Sequence, residues 1–190
     1  MSFDLDAALR GLRPSRKTRA LRRRPDDKLP WIDARPTVGG PILLDTTVYL
    51  DTLQGRSPPV LDAIMNLRTC YHSCVCLGEL THAFGRLSPK DSRTAQSLKV
   101  IGRTVRSIPS HRLIAPDEAI WGQAGILAGL LSRLGGRAAG TERKSLHDAL
   151  IYLQGRRNGW PVVTRNVIDF DFLHQLVPDG RLLLYRRLEN

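Results

Sequence analysis

Ile42, Leu43 and Leu44 follow one another with no polar residue between them, and the run stops at Asp45. A strand with one wet face alternates apolar and polar side chains. One that does not alternate is buried on both faces, as in a parallel sheet covered by helices. Thr46 and Thr47 then open a short helix expected through Leu53. In open sheets of this kind ligands gather outside the carboxyl ends of the strands, which gives Asp45 the position of a site residue. Taken alone it has a second reading, as the N-cap of the following helix.

From Pro41 onward strands and helices alternate. Pro58-Pro59 opens a helix to about Leu67, Cys70 to Val75 reads as a strand, and Leu77 to Leu87 as a helix. A further helix is expected from Ser88-Pro89 to about Ser107, and a strand over Arg112 to Ala115. An amphipathic helix then runs from Pro116 to Leu134, with Ile120, Ala124, Leu127, Leu130, Leu131 and Leu134 as its core stripe. Gly135 to Gly140 is a glycine-rich turn without the strand–loop–helix setting of a phosphate cradle. A helix from Glu142 to about Arg157, a strand Pro161–Thr164, a helix Val167–Leu176 and a strand Leu182–Tyr185 complete the pattern. Repeated βα units imply an α/β/α sandwich on a mainly parallel sheet of four or five strands.

Residues 1 to 39 differ from this domain of residues 40–190. Between Arg10 and Arg24 lie eight basic residues and no acid, and Pro14, Pro25, Pro30 and Pro36 interrupt any long helix. A basic, weakly ordered arm is expected, with one short helix over Leu5 to Leu12. The whole chain carries a formal charge of +11, and from Gly40 onward it still holds 19 basic and 13 acidic residues. Such an excess points to a polyanionic partner. No stretch approaches the roughly 18 apolar residues of a membrane span. The opening MSFDLDAALRGL lacks a basic start followed by an apolar region, so a cytoplasmic location without a secretory signal is expected. Cys70, Cys74 and Cys76 are clustered and odd in number, which fits free thiols in a reducing compartment. A zinc site borrowing His72 or His82 matches no standard spacing.

Four acids stand beside apolar elements: Asp45 after the first strand, Glu79 in the first turn of the helix after the second, Asp148 early in KSLHDALIYLQ, and Asp169 in VTRNVIDFD. Strand ends and the starts of following helices share one edge of a parallel sheet, so these acids can meet. Clustered carboxylates repel unless a cation holds them, and oxygen donors suit Mg²⁺ or Mn²⁺. Arg143, Lys144, Arg156, Arg157 and Arg165 border that edge in sequence and could hold phosphates. Trp31, Trp121 and Trp160 could stack bases, although Trp121 and Trp160 are expected in or against the core.

Through LLDTT (Asp45, Thr46), CLGEL (Glu79), HDALI (Asp148) and VTRNVIDF (Thr164, Asn166, Asp169), residues 41–187 resemble PIN-domain nucleases, especially VapC-like ribonuclease toxins of type II toxin–antitoxin systems. The resemblance implies a PIN-like fold and hydrolysis of RNA with Mg²⁺ or Mn²⁺, leaving a 5′-phosphate and a 3′-hydroxyl. It implies Asp45 and Asp148 as principal metal ligands, Asp169 completing the set directly or through water, and Glu79 holding or activating a water. Thr46, Thr164 and Asn166 would orient carboxylates or substrate. A cognate antitoxin and a homodimer are implied as partners.

His147 stands where the family often has Asn, and an adjacent His-Asp also occurs in HD phosphohydrolases, whose other ligands cannot be placed here. His147 is read as a helix-flank residue or a phosphate contact. Asp171 competes with Asp169, but the spacing from Thr164 favours Asp169. The basic arm is longer than a compact PIN toxin requires. The alternatives are a non-catalytic nucleic-acid-binding protein acting through that arm, and a PIN nuclease of RNA processing or DNA repair.

Overall fold

In the computed structural model residues 3–33, 37–136 and 140–189 are described; Pro36 of the arm and the middle of the Gly135–Gly140 turn lie outside them. Five strands form one sheet: β1 (Ile42–Leu44), β2 (Cys70–Ser73), β3 (Leu113–Ile114), β4 (Val162–Thr164) and β5 (Leu182–Leu184). All neighbours are parallel and the order is β3-β2-β1-β4-β5. The helices are α1 (Leu5–Leu12), α2 (Thr46–Leu53), α3 (Pro59–Leu67), α4 (Cys74–Arg86), α5 (Thr94–Ser107), α6 (Glu118–Leu134), α7 (Glu142–Asn158) and α8 (Val167–Leu176). They flank the sheet as an α/β fold.

The centre of the sheet follows directly from composition. Every residue of β1 and β4 is buried, as unbroken apolar runs in a covered parallel sheet require. Leu43 and Leu44 register with Val162 and Val163, so Asp45 and Thr164 leave the sheet side by side. Strand order also reverses here, β2 and β3 lying on one side of β1 and β4 and β5 on the other. That reversal opens a crevice at the carboxyl edge where ligands bind in open α/β sheets. Helix α7 brings its N-terminal half to the same edge, because its other end leads through Gly159 into the start of β4.

Two boundaries differ from expectation for a local reason. Ser73 accepts from the Val75 amide at 3.0 Å and caps α4 three residues before Leu77. This shortens β2 and places Glu79 in the second turn of its helix, not the first. Between Ser88 and Arg93 the chain turns on side-chain bonds, the Arg93 amide to Asp91 at 2.9 Å and the Thr94 hydroxyl to the Ser88 carbonyl at 2.8 Å. Helix α5 therefore starts only at Thr94.

The basic N-terminal segment is laid against the body. Three of its apolar residues, Ala8, Leu12 and Leu29, are buried, and α1 packs on α6. Its cations and amides reach helix ends, Lys17 Nζ donating to the Leu176 carbonyl of α8 at 2.9 Å and the Leu21 amide to Leu134 of α6 at 2.8 Å. Cations at helix carboxyl ends are favourable because the last carbonyls lack partners there. Pro30 to Ile32 then pair with the edge of β5 through Leu184, with bonds of 2.8 Å on both sides.

Candidate active site

Asp45 is 3% exposed and serves both readings of its sequence position. It caps α2, accepting from the Thr47 amide at 3.3 Å, and it lines a cleft at the carboxyl edge, of about 1170 Å³. The hydroxyls of Thr47 and Thr164 both donate to its Oδ2 at 2.7 Å. Burial pushes its carboxyl above the ordinary carboxylate range; the two threonines oppose this, and the Glu79 charge adds to it.

Glu79 is held from two sides. Thr46 donates to its Oε2, and His147 Nδ1 lies 2.7 Å from its Oε1. His147, read as a flank residue or phosphate contact, is thus a partner of the acid.

Asp148 and Asp169 are joined by Asn166, whose Nδ2 donates to Asp148 Oδ2 at 3.1 Å and to Asp169 Oδ2 at 2.7 Å. Both acids are nearly buried, at 6% and 3% exposure. Lys144 Nζ stands 3.0 Å from Asp169 Oδ2. The competitor Asp171 faces away, taking the Arg24 amide at 2.9 Å and Arg24 Nε at 2.5 Å.

The basic residues divide. Arg143, Lys144 and Arg165 line the cleft, Arg165 with its Nε on Asp51 Oδ2 at 2.7 Å. Arg156 and Arg157 do not. At 1.5 Å per residue Arg156 lies about 12 Å along α7 from Asp148. It forks onto Asp179 at 2.7 to 2.9 Å, and Arg157 pairs with Asp117. Of the tryptophans, Trp160 stacks on Tyr71 at 3.9 Å, Trp31 lines the cleft, and Trp121 is 47% exposed instead of packing inward. The cysteines are free thiols; Cys76 is buried beside the Leu44 carbonyl, and burial pushes its thiol well up.

Sequence reading missed Thr47, whose only signal was its place beside Thr46 in LLDTT. It also missed Arg23, Arg86, Arg186 and Arg187 at the cleft, residues brought there by chain ends and helix packing with no local pattern to announce them.

Asp45 and Asp148 present to the cleft the carboxylate oxygens that a hard divalent cation takes. Asp45 is a buried carboxylate whose hydrogen-bond donors are neutral, with the Glu79 charge acting against it, and Asp148 lines the same cleft. Among the described residues no group of three or more His, Cys, Asp or Glu side chains is placed where it could hold a metal ion. Mg²⁺, which keeps several waters, is commonly bound through only one or two carboxylates.

No protein-family model matches the chain, and no curated protein does. Solved structures do. The chain is similar to one in VapBC2 from Rickettsia felis bound to a promoter DNA fragment, at 17% identity and TM-score 0.53, covering 77% of this chain and 99% of that one. It is likewise similar to one in FitAB bound to the IR36 DNA fragment, at 19% identity and TM-score 0.51, covering 78% and 98%. At such identities the likeness is one of fold, and the fold of this chain is PIN-like.

Proposed function

We propose that this chain is a divalent-metal-dependent endoribonuclease and the toxin of a toxin–antitoxin pair. The convergence of acids carries the reading: Asp45, Glu79 and Asp148 line one cleft, Asn166 ties Asp169 to Asp148, and arginines surround them. A purely binding role leaves this unexplained, because a protein that only holds polyanions gains nothing from grouping its carboxylates beside them.

Asp45, Asp148 and Asp169 would hold Mg²⁺ or Mn²⁺. Once bound, such an ion supplies Lewis acidity at a phosphoryl oxygen and a lowered pKa for water. Thr47 and Thr164 fix the rotation of the Asp45 carboxylate, and Asn166 fixes Asp148 against Asp169. Glu79 Oε1, facing His147, takes the proton of the attacking water, while Thr46 keeps the other oxygen in place. Arg143 and Arg165 neutralise the phosphodiester, and in-line attack leaves a 5′-phosphate and a 3′-hydroxyl. The toxin role is supported by the resemblance of the motifs to VapC-like toxins and by the fold shared with chains of VapBC2 and FitAB. The antitoxin would be a protein that covers this cleft.

Incubation of the purified chain with a mixed RNA pool, in Mg²⁺ or in EDTA, followed by mapping of the ends, tests the proposal. Cutting in Mg²⁺ alone, abolished by Asp45→Asn and by Asp148→Asn with circular dichroism unchanged, is expected. Undiminished cutting by either variant sinks it.

A further inference from the structure

Two guanidiniums from opposite ends of the chain, both lining the cleft, meet on one carboxylate. Arg23 bonds Asp26 Oδ1, and Arg186, just beyond β5, bonds Asp26 Oδ2. The Arg186 guanidinium also lies 4.6 Å from the centre of the Trp31 ring, and Trp31 Nε1 donates to the Asp26 carbonyl at 2.9 Å. The pairing of residues 30 to 32 with Leu184 holds these pieces in register. Arg23, Trp31 and Arg186 line the cleft that Asp45, Glu79 and Asp148 line.

A carboxylate with one guanidinium on each oxygen resembles, in charge and in oxygen geometry, a phosphodiester with its two non-bridging oxygens. Arginine forks suit both. Asp26 is exposed, and its hydrogen bond from Arg23, then the nearby charges, hold it below the usual carboxylate range, so it is anionic at neutral pH. Ion pairs open to water contribute little, so a second anion can displace this one.

We propose that Arg23 and Arg186 form a phosphodiester-binding subsite for single-stranded RNA beside the acid cleft, and that Asp26 occupies it as a built-in competitor which the RNA phosphate displaces. The choice of RNA rests on the proposed nuclease function; the subsite itself rests on the shared carboxylate and on the place of Arg23 and Arg186 in the cleft.

The test is equilibrium binding of a short, fluorescently labelled single-stranded RNA of mixed sequence to the full chain in EDTA, across a salt series. A labelled oligoglutamate peptide serves as a second probe. Asp26→Asn should tighten RNA binding about two- to fivefold. Arg23→Gln with Arg186→Gln should weaken it about tenfold, and flatten the slope of log affinity against log salt by about 0.7. In that double variant, Asp26→Asn should change nothing further. Weaker binding by Asp26→Asn alone, an equal effect in both backgrounds, or coupling seen only with the peptide overturns the proposal. A chain that binds as expected yet cuts no RNA keeps the subsite and loses the nuclease function. One that cuts RNA while binding ignores these changes does the reverse.

Discussion

Thr164 Oγ1 donates to Asp45 Oδ2 over 2.7 Å, across 119 positions of sequence. The contact exists because β1 and β4 are neighbours, and Asp45 and Thr164 each follow directly on their last paired residues, Leu44 and Val163. Thr164→Val keeps the shape and removes a donor from a buried carboxylate. It should cost about 1–3 kcal/mol of stability, read by denaturant unfolding, and lower cleavage as well. Unchanged values of both would mean that Thr47 alone suffices to hold Asp45.

Asn166 is the link between two acids. Asn166→Ala should weaken Mg²⁺ or Mn²⁺ binding about 10–100-fold, as loss of a group that orients metal ligands does. Isothermal titration with each ion measures this, and an unaltered affinity would remove Asn166 from the site.

The basic residues at the cleft, Arg143 on the first turn of α7 and Arg165 just after β4, should behave oppositely towards nucleic acid from those at the far end of α7. Arg143→Gln and Arg165→Gln, at the cleft, should each weaken RNA binding and flatten its salt dependence. Arg156→Gln and Arg157→Gln, occupied with Asp179 and Asp117, should leave both nearly unchanged. Anisotropy titrations at several salt concentrations separate the two groups.

Docking of the N-terminal segment should depend on pH through His174. Arg24 Nη2 lies 2.9 Å from His174 Nδ1, and because arginine only donates, Nδ1 is the acceptor and the ring is neutral. Burial, then the Arg24 charge, push its pKa below the ordinary 6.5, with Asp171 pulling back. The unfolded chain therefore takes up this proton first. Stability is full above the unfolded value and falls as pH drops below about 6.5. The Tm should be lower at about pH 5.5 than at about pH 7.5, and His174→Gln should shrink that difference. An identical difference in the variant would clear His174 of the effect.

Gly155 lets α7 lie close on the sheet. A Cβ there would meet Val162 Cγ2 at 2.5 Å and the Trp160 carbonyl at 3.0 Å. Gly155→Ala should destabilise the chain by about 1–3 kcal/mol, although Ala is the better helix former. A raised Tm would show that β4 gives way freely.

Much of this was legible without coordinates. The bounds of β1, α1 and α8 follow from runs and periods that a short window contains. The start of α4 did not, because the hydroxyl of Ser73 outweighed a strand-like run through Cys74 and Val75. The pairing of Asp45, Glu79, Asp148 and Asp169 with sheet edges was readable from their neighbours, whereas Arg156 and Arg157 looked equally near the site until α7 carried them to Asp179 and Asp117.

What the sequence determined by itself is which residues are apolar in unbroken runs and where those runs stop, since burial preference and backbone propensity act over a few positions. Which cation sits on which anion was set by the folded chain: Arg24 on Asp171, Arg165 on Asp51, Arg23 and Arg186 on Asp26. Charge attraction has no periodicity along a chain and acts through space, so its partners are chosen only after the strands have set the distances.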